Sequence, residues 1–278
     1  GAGRRPQTGG VMARLRLGAV EYLNARPLVY GLEHRADRFD VRFDKPARCA
    51  ALLHAGEVDF GIVPSIEYLR GRDYVGVPGV AIGSDGPVAS VALFSRCPVD
   101  RVRTVALDAS SRTSVALFQV LCARHFGISP GLTVMGPEPA SMLGACDAAL
   151  LIGDVALFFD HEAAGVQKTD LGAAWQAYCG LPFVYAFWFG RPGSMTADDI
   201  DALGEACRQG VAHADEVARR HFAGDLDRAS AGARYLRDNV NFGFAERELA
   251  GLTRFYRDAS ELGLVPAFRE PSFCRPSP

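Results

Sequence analysis

The chain predicts an α/β protein of two lobes joined by two crossovers, with a run of helices at its C-terminal end. Three observations carry this. Short apolar, β-rich runs end repeatedly in small, hydroxylated or acidic residues and then in a helix start. The pattern is interrupted at Cys97-Pro98, and the near-continuous apolar run Pro182 to Phe189 offers a second passage between lobes. Beyond Pro192 the periodicity becomes helical throughout. Alternating strands and helices followed by helices alone suit two α/β layers with the last helices packed back on the first lobe.

The elements follow in order. Arg14 to Val20 alternates as a strand and leads through Val20-Glu21-Tyr22-Leu23-Asn24-Ala25-Arg26-Pro27-Leu28 into an apolar helical run, with Pro27 suited to a first helical position. Arg48 to Ala55 places Cys49, Leu52 and Leu53 on one helix face. Glu57 to Val63 is a strand ending in Pro64-Ser65, and Val88 to Ser95 a longer one, with Ser90 early in it. After Cys97-Pro98 come a strand at Val102 to Leu107, a helix at Thr113 to Phe126, and strands at Leu132 to Met135 and Asp147 to Ile152. Thr196 to Phe222 reads as one helix capped by Thr196, with Asp198 and Asp199 in its first turn, where the helix dipole favours acids. Helical patterns follow at Arg228 to Asn239 and Glu246 to Leu262, stopped by Gly263-Leu264-Val265-Pro266. The expected organisation is a disordered segment over residues 1–13, a discontinuous first lobe over 14–95 and 190–278, and a second lobe over 96–189. Hinges are expected near Ser95-Arg96 and Phe189-Gly190.

Composition narrows the function. The 278 residues are 49% apolar and 22% charged, with a net charge of -2, which argues against a nucleic-acid binder that works by phosphate neutralisation. No stretch is long and apolar enough to span a membrane. Seven scattered cysteines, an odd number without zinc or redox spacing, suit reduced thiols in the cytoplasm. The first eleven residues are Gly- and Arg-rich and do not read as a secretion signal. There is no phosphate-binding G-x-x-x-x-G-K-[ST] loop and no strand-linked G-x-G-x-x-G. His161-Glu162-Ala163-Ala164-Gly165 lacks the second histidine of a zinc-protease helix and reads as a solvated loop-helix junction. The six histidines are dispersed; His34, His213 and His221 read as surface helix residues. Neither a histidine base, a metal nor an organic cofactor is expected.

What remains is a set of polar strand ends. In open α/β sheets ligands bind at the carboxyl ends of the strands. Asn24 can donate and accept there. Ser110-Ser111-Arg112-Thr113-Ser114 opens a helix after a strand, offering free N–H groups, a positive dipole end and more hydroxyls than one cap needs. The same residues also read as a plain N-cap, Asn24 as a turn residue and Ser90 as a strand serine. Ser65, and Gly153 with Asp154, repeat the arrangement.

These segments are recognisable together. Val20 to Leu28 resembles the N-terminal signature of the menaquinone-biosynthesis dehydratases of the futalosine pathway, the chorismate dehydratase family. Val63-Pro64-Ser65-Ile66-Glu67-Tyr68, Gly86-Pro87-Val88-Ala89-Ser90-Val91, Ser111-Arg112-Thr113-Ser114, Leu151-Ile152-Gly153-Asp154 and Asp170-Leu171-Gly172-Ala173-Ala174-Trp175 continue the likeness, from about Leu15 to Pro266. The resemblance implies a fold like the type 2 periplasmic binding proteins, with ligand between two lobes. It implies a hydro-lyase that converts chorismate into 3-[(1-carboxyvinyl)oxy]benzoate and water. It places Asn24 and Ser90 at the substrate as catalytic residues. Tyr22, Ser65, Ser111, Arg112, Thr113, Ser114, Gly153 and Asp154 are the expected substrate-binding residues. Asparagine is a poor base, so the enolpyruvyl carboxylate of the substrate is the expected proton acceptor, with Glu21 and Asp154 as protein-based alternatives. The sister enzyme 1,4-dihydroxy-6-naphthoate synthase, for which the resemblance implies a histidine base, is the alternative within the pathway. A non-catalytic small-anion-binding protein is the alternative outside it.

Overall fold

The computed structural model describes residues 13–275. The expected disordered segment lies, up to residue 12, outside the described residues.

The first lobe begins with β1 (Leu15–Val20), a 3-10 helix over Leu23–Val29, β2 (Phe39–Asp44), α1 (Pro46–His54), β3 (Phe60–Pro64), α2 (Glu67–Arg70) and β4 (Val75–Ser84). The second holds β5 (Val91–Ser95), β6 (Thr104–Asp108), α3 (Arg112–Leu121), β7 (Gly131–Met135), α4 (Pro139–Ala145), β8 (Ala148–Ile152), α5 (Gly153–Phe158), β9 (Gln167–Asp170) and α6 (Leu171–Cys179). The chain then returns through β10 (Phe183–Gly190) to α7 (Ala197–Ala212), α8 (Ala214–His221), α9 (Leu226–Asp238), β11 (Asn241–Phe244) and α10 (Glu246–Glu261).

Two sheets result, ordered β11-β4-β10-β3-β1-β2 and β7-β6-β8-β5-β9. Neither is wholly parallel. β10 runs against β3 and β4, β11 against β4, and β5 against β8 and β9. The direction of β5 and β10 has a simple cause. A chain that leaves one sheet at the cleft end of its strands enters the other at that same end and must run away from the cleft. Every residue of β3, β5 and β10 is buried, as in strands covered on both faces.

Three expectations need correction. The crossings lie between Ser84 and Val91 and between Cys179 and Phe183, since β5 pairs within the second sheet and β10 within the first. Cys97-Pro98 and Pro192 mark the far ends of the crossover strands, so the boundaries and hinges at 95/96 and 189/190 are displaced by one strand. Thr196 to Phe222 is two helices, broken at His213 (φ -107, ψ 34), whose Nδ1 lies 2.8 Å from the Gln209 carbonyl and competes for a helical acceptor. Pro27 lies inside the 3-10 helix rather than opening one.

The Thr196 cap is reciprocal: its hydroxyl accepts the Asp199 N–H and the Asp199 carboxylate accepts the Thr196 N–H. Buried Asp199 also accepts from Arg38 at 2.7 Å. Elsewhere Asp59 pairs with Arg16 and Arg191, and buried Glu67 with His54 and Arg70. Burial alone would raise the pKa of all three acids. Hydrogen bonds to these partners outweigh it, and each carboxyl lies below its ordinary value. Groups lowered on folding stabilise above their unfolded pKa, about 4, and lose that contribution as pH falls through the lowered value. Equilibrium unfolding should therefore show stability level from about pH 5 upward in this respect and a steep decline below about pH 4. Replacing Glu67 by Gln should flatten part of that decline; an unchanged acid limb would contradict the assignment.

Candidate functional site

The strand ends and the two crossovers converge on a narrow cleft, with about 540 Å3 of empty space when the open solvent at its mouth is included. Its apolar walls include Val20 and Pro64 at the ends of β1 and β3, Val91 at the start of β5, and Tyr185 and Ala186 in β10. Its polar lining is Tyr22, Asn24, Ser90 and the run Ser110 to Ser114. Among the described residues, Arg112 is the one charged side chain in the lining, and neither a carboxylate nor an imidazole lines the cleft. Such a lining favours an anion with an apolar body.

On the first-lobe side, Tyr22 lies against Gly153 of the second lobe. A Cβ at 153 would sit 2.8 Å from the ring, and φ there is +62, so only glycine allows both the contact and the turn. Burial, then the charge of Asp108, pushes the Tyr22 phenol up to about 12 against a hydrogen bond with Ser110, leaving it protonated at neutral pH. Asn24 enters the cleft from the first turn of the 3-10 helix, and its Oδ1 is buried without a partner.

On the second-lobe side, Ser111 precedes α3 and its Oγ is likewise buried and unpartnered. Buried polar atoms are almost always bonded, so two orphans on residues that line one cleft point to a ligand that completes them. Thr113 Oγ1 accepts the Ile66 N–H from the first lobe at 3.1 Å, which leaves its own proton to donate. Arg112 approaches Glu67 at 3.8 Å. The first N–H groups of α3 lack helical acceptors, as at any helix start.

Ser90 does not begin a strand. It sits in a bend just before β5, held by the crossover loop. Asp170, the N-cap of α6, accepts the N–H groups of Val88, Ala89 and Ala173, and Lys168 donates to the Ala89 carbonyl. These bonds hold Ala89 at φ +66, a strained conformation for a residue with a Cβ. The Ser90 carbonyl accepts the Gly153 N–H, and its hydroxyl lies 2.7 Å from that of Tyr235 on α9.

Two expected ligand residues are elsewhere. Ser65 is fully buried and donates to the Val184 carbonyl, so its hydroxyl serves the junction of β3 with β10. Asp154 has both oxygens engaged: one accepts the Leu23 N–H at 3.2 Å, the other lies 2.6 Å from His221 Nε2. It ties α5 to the first motif and to α8 rather than lining the cleft. His221 is accordingly no surface residue, its side chain being 11% exposed. Glu21 is exposed and absent from the lining. Tyr185 and Tyr235 escaped the sequence reading; a tyrosine on an amphipathic helix reads as ordinary core. Gly127-Ile128-Ser129-Pro130-Gly131 has the spacing of a nucleophile elbow but leads from a helix into β7, the reverse of the order such an elbow needs. Among the described residues no three His, Cys, Asp or Glu side chains cluster as a metal site would require.

A family model described as menaquinone biosynthesis matches residues 15–261. A curated protein named chorismate dehydratase, from Thermus thermophilus, is 32% identical over 219 residues, covering 73% of this chain and 79% of that protein. Among solved structures, a protein of Archaeoglobus fulgidus superposes with a TM-score of 0.73 at 16% identity, covering 91% of this chain and 98% of the other. The periplasmic aliphatic sulphonate binding protein of Escherichia coli gives 0.60 at 17% identity, covering 95% and 94%. The fold is that of the periplasmic binding proteins, two lobes around a cleft.

The strain at Ala89 and the contact at Gly153 make opposite predictions for small substitutions. Ala89→Gly should leave stability unchanged or raise it by up to about 1 kcal/mol, where glycine ordinarily costs that much. Gly153→Ala should cost about 1–3 kcal/mol through the Tyr22 clash and the positive φ. Urea unfolding of both variants checks this; equal losses would contradict it.

Proposed function

The chain belongs to the menaquinone-biosynthesis family, and from that premise we propose that it is a chorismate dehydratase, a hydro-lyase converting chorismate into 3-[(1-carboxyvinyl)oxy]benzoate and water. The observation that carries the reading is the cleft's inventory: hydroxyls, one amide, one guanidinium and a helix start, without an acid or a histidine. It suits a dianion with a ring hydroxyl, and it supplies no protein base.

The chemistry follows from that inventory. The proton on ring C3 and the hydroxyl on C4 leave as water, and the aromatic ring formed drives the reaction. The enolpyruvyl carboxylate, attached through oxygen to C3, takes the proton. Placement supports this over the protein-based alternatives: Asp154 is engaged on both oxygens, and neither it nor Glu21 is among the lining residues. Asn24 and Ser90 orient the substrate, and orientation alone can be worth about 100-fold. The start of α3 holds one carboxylate, with Ser111, Arg112, Thr113 and Ser114 donating; the dipole there is worth roughly 0.3–1 kcal/mol, up to about 2 when partly buried. Tyr22 adds a protonated phenol. A histidine-based naphthoate synthase has no imidazole to use in this cleft. Seven free thiols favour a reducing cytoplasm.

Incubation with chorismate should produce the aromatic ether, read by absorbance and chromatography; binding without turnover would favour the small-anion-binding alternative. Ser111→Ala removes an orphaned hydroxyl, so it should leave the melting temperature unchanged while weakening substrate binding about 5- to 30-fold. Thr113→Ala should lower both, because the buried Ile66 N–H loses its acceptor. Asn24→Asp sets a negative charge against a dianion and should bind substrate more weakly than Asn24→Ala. Near-normal turnover in Asn24→Asp would leave Asn24 a turn residue only.

A further inference from the structure

No step of the proposed reaction uses a histidine, yet one histidine is built into the support of the cleft. His221 ends α8 with its side chain 11% exposed, and its Nε2 lies 2.6 Å from Asp154 Oδ2 on α5. His221 itself is not among the lining residues. Resting on the reading that Asn24 and Ser90 act on the substrate, we propose that His221 is a positioning residue. It holds Asp154, and through Asp154 the distance between Asn24 and Ser90.

The connection runs through the pair Gly153-Asp154. The Gly153 N–H donates to the Ser90 carbonyl at 2.8 Å. The next residue, Asp154, accepts the N–H of Leu23, the residue before Asn24, at 3.2 Å. The Tyr22 ring, one residue further back, lies against Gly153. Two adjacent residues of the second lobe therefore set where residues 22–24 stand relative to Ser90. That pair opens a helix of only six residues, too short to hold its own place. The end of α8 supplies an anchor. His221 bonds Asp154, and the following residue, Phe222, meets Phe158 edge to face with ring centroids 5.1 Å apart. Positions 154 and 158 are one turn apart on one helix face, so a consecutive pair from the first lobe grips α5 at both ends.

The chemistry of the bond fixes its direction. A carboxylate only accepts, and Oδ1 is occupied by the Leu23 N–H, so Oδ2 takes the proton on Nε2. Neutral or charged, an imidazole with a proton on Nε2 makes this bond; the tautomer protonated only on Nδ1 cannot. Without it Asp154 would keep only the longer bond from Leu23, and residues 22–24 would be free to shift where the chemistry tolerates little displacement. A donor of this kind is also distinct from a base. A base is lost in His221→Gln, whereas a side-chain N–H is kept.

The test pairs kinetics with a measurement made without substrate. With chorismate, His221→Ala should lower kcat about 10- to 100-fold with KM little changed, because the α3 start that holds the carboxylate is anchored elsewhere. His221→Gln, which keeps an N–H at the reach of Nε2, should stay within about 5-fold of the wild type. The double variant His221→Ala with Asp154→Ala should be no slower than Asp154→Ala alone, because His221 acts through Asp154. A His221→Ala enzyme at full rate, a His221→Gln enzyme as slow as His221→Ala, or losses that multiply would overturn the proposal. Without substrate, nuclear magnetic resonance should find the His221 ring protonated at Nε2 in the wild type. The Leu23 and Gly153 amides should exchange with water about 10-fold faster in His221→Ala than in the wild type or His221→Gln. Equal exchange in all three overturns the proposal, and so does a wild-type ring protonated only at Nδ1, even if His221→Ala does not fold. A wild-type protein that leaves chorismate unchanged overturns the assigned reaction instead, and the ring and amide measurements then decide whether His221 holds the segment.

Discussion

The constraint on which the rest depends is that the chain passes between two sheets twice, both times at the cleft. A strand that enters at the cleft runs away from it, so β5 and β10 oppose their neighbours while β1, β3, β4, β6 and β8 point inward. Strand ends and strand starts therefore meet in one space. Each contributes its exposed backbone and its small polar side chains, which is why the lining is drawn from short segments far apart in sequence.

Meeting in one space is not enough; the polar groups must also point the right way. The structure does this with bonds that cross between elements. Asp170 holds the Ser90 loop in a backbone conformation it would not adopt alone. Gly153 admits the Tyr22 ring. Asp154 and Thr113, both on the second lobe, accept backbone N–H groups of Leu23 and Ile66 on the first. Asp170 and Asp154 do not line the cleft, yet each fixes a segment that does.

Much of this was legible in the sequence where the signal was local. The apolar runs of β1, β3, β6 and β8, each followed by polar residues, mark both strands and site. Asn24 and the Ser111 to Ser114 start follow strands, so the same local signal marks them, whereas Ser90 lines the cleft from the bend before β5 rather than from within the strand that the sequence suggested. What escaped was non-local or off-pattern. β4 carries Gly76, Pro78, Gly79 and Gly83, and its pairing with β10 is irregular, so it lacks a clean strand signature. β9, Gln-Lys-Thr-Asp, is a polar edge strand. The partners of Ser90 and Asp154, Tyr235 and His221, lie 145 and 67 residues away, and only the packing of α8 and α9 brings them there. Ser65 misled for the converse reason: a polar strand end can be consumed by the next strand's backbone.

The bonds from Leu23 and Ile66 across to Asp154 and Thr113 join the two halves through the protein's own groups. In a carrier, the cargo itself commonly bridges the halves, so an empty carrier falls open and a loaded one shuts. Here part of the adhesion is built in and belongs to the chain's own groups. The energy needed to part the halves is then partly a property of the polypeptide, and departure is timed by the chain as well as by its guest. That suits a vessel in which something is to be transformed more than one in which it is merely to be carried.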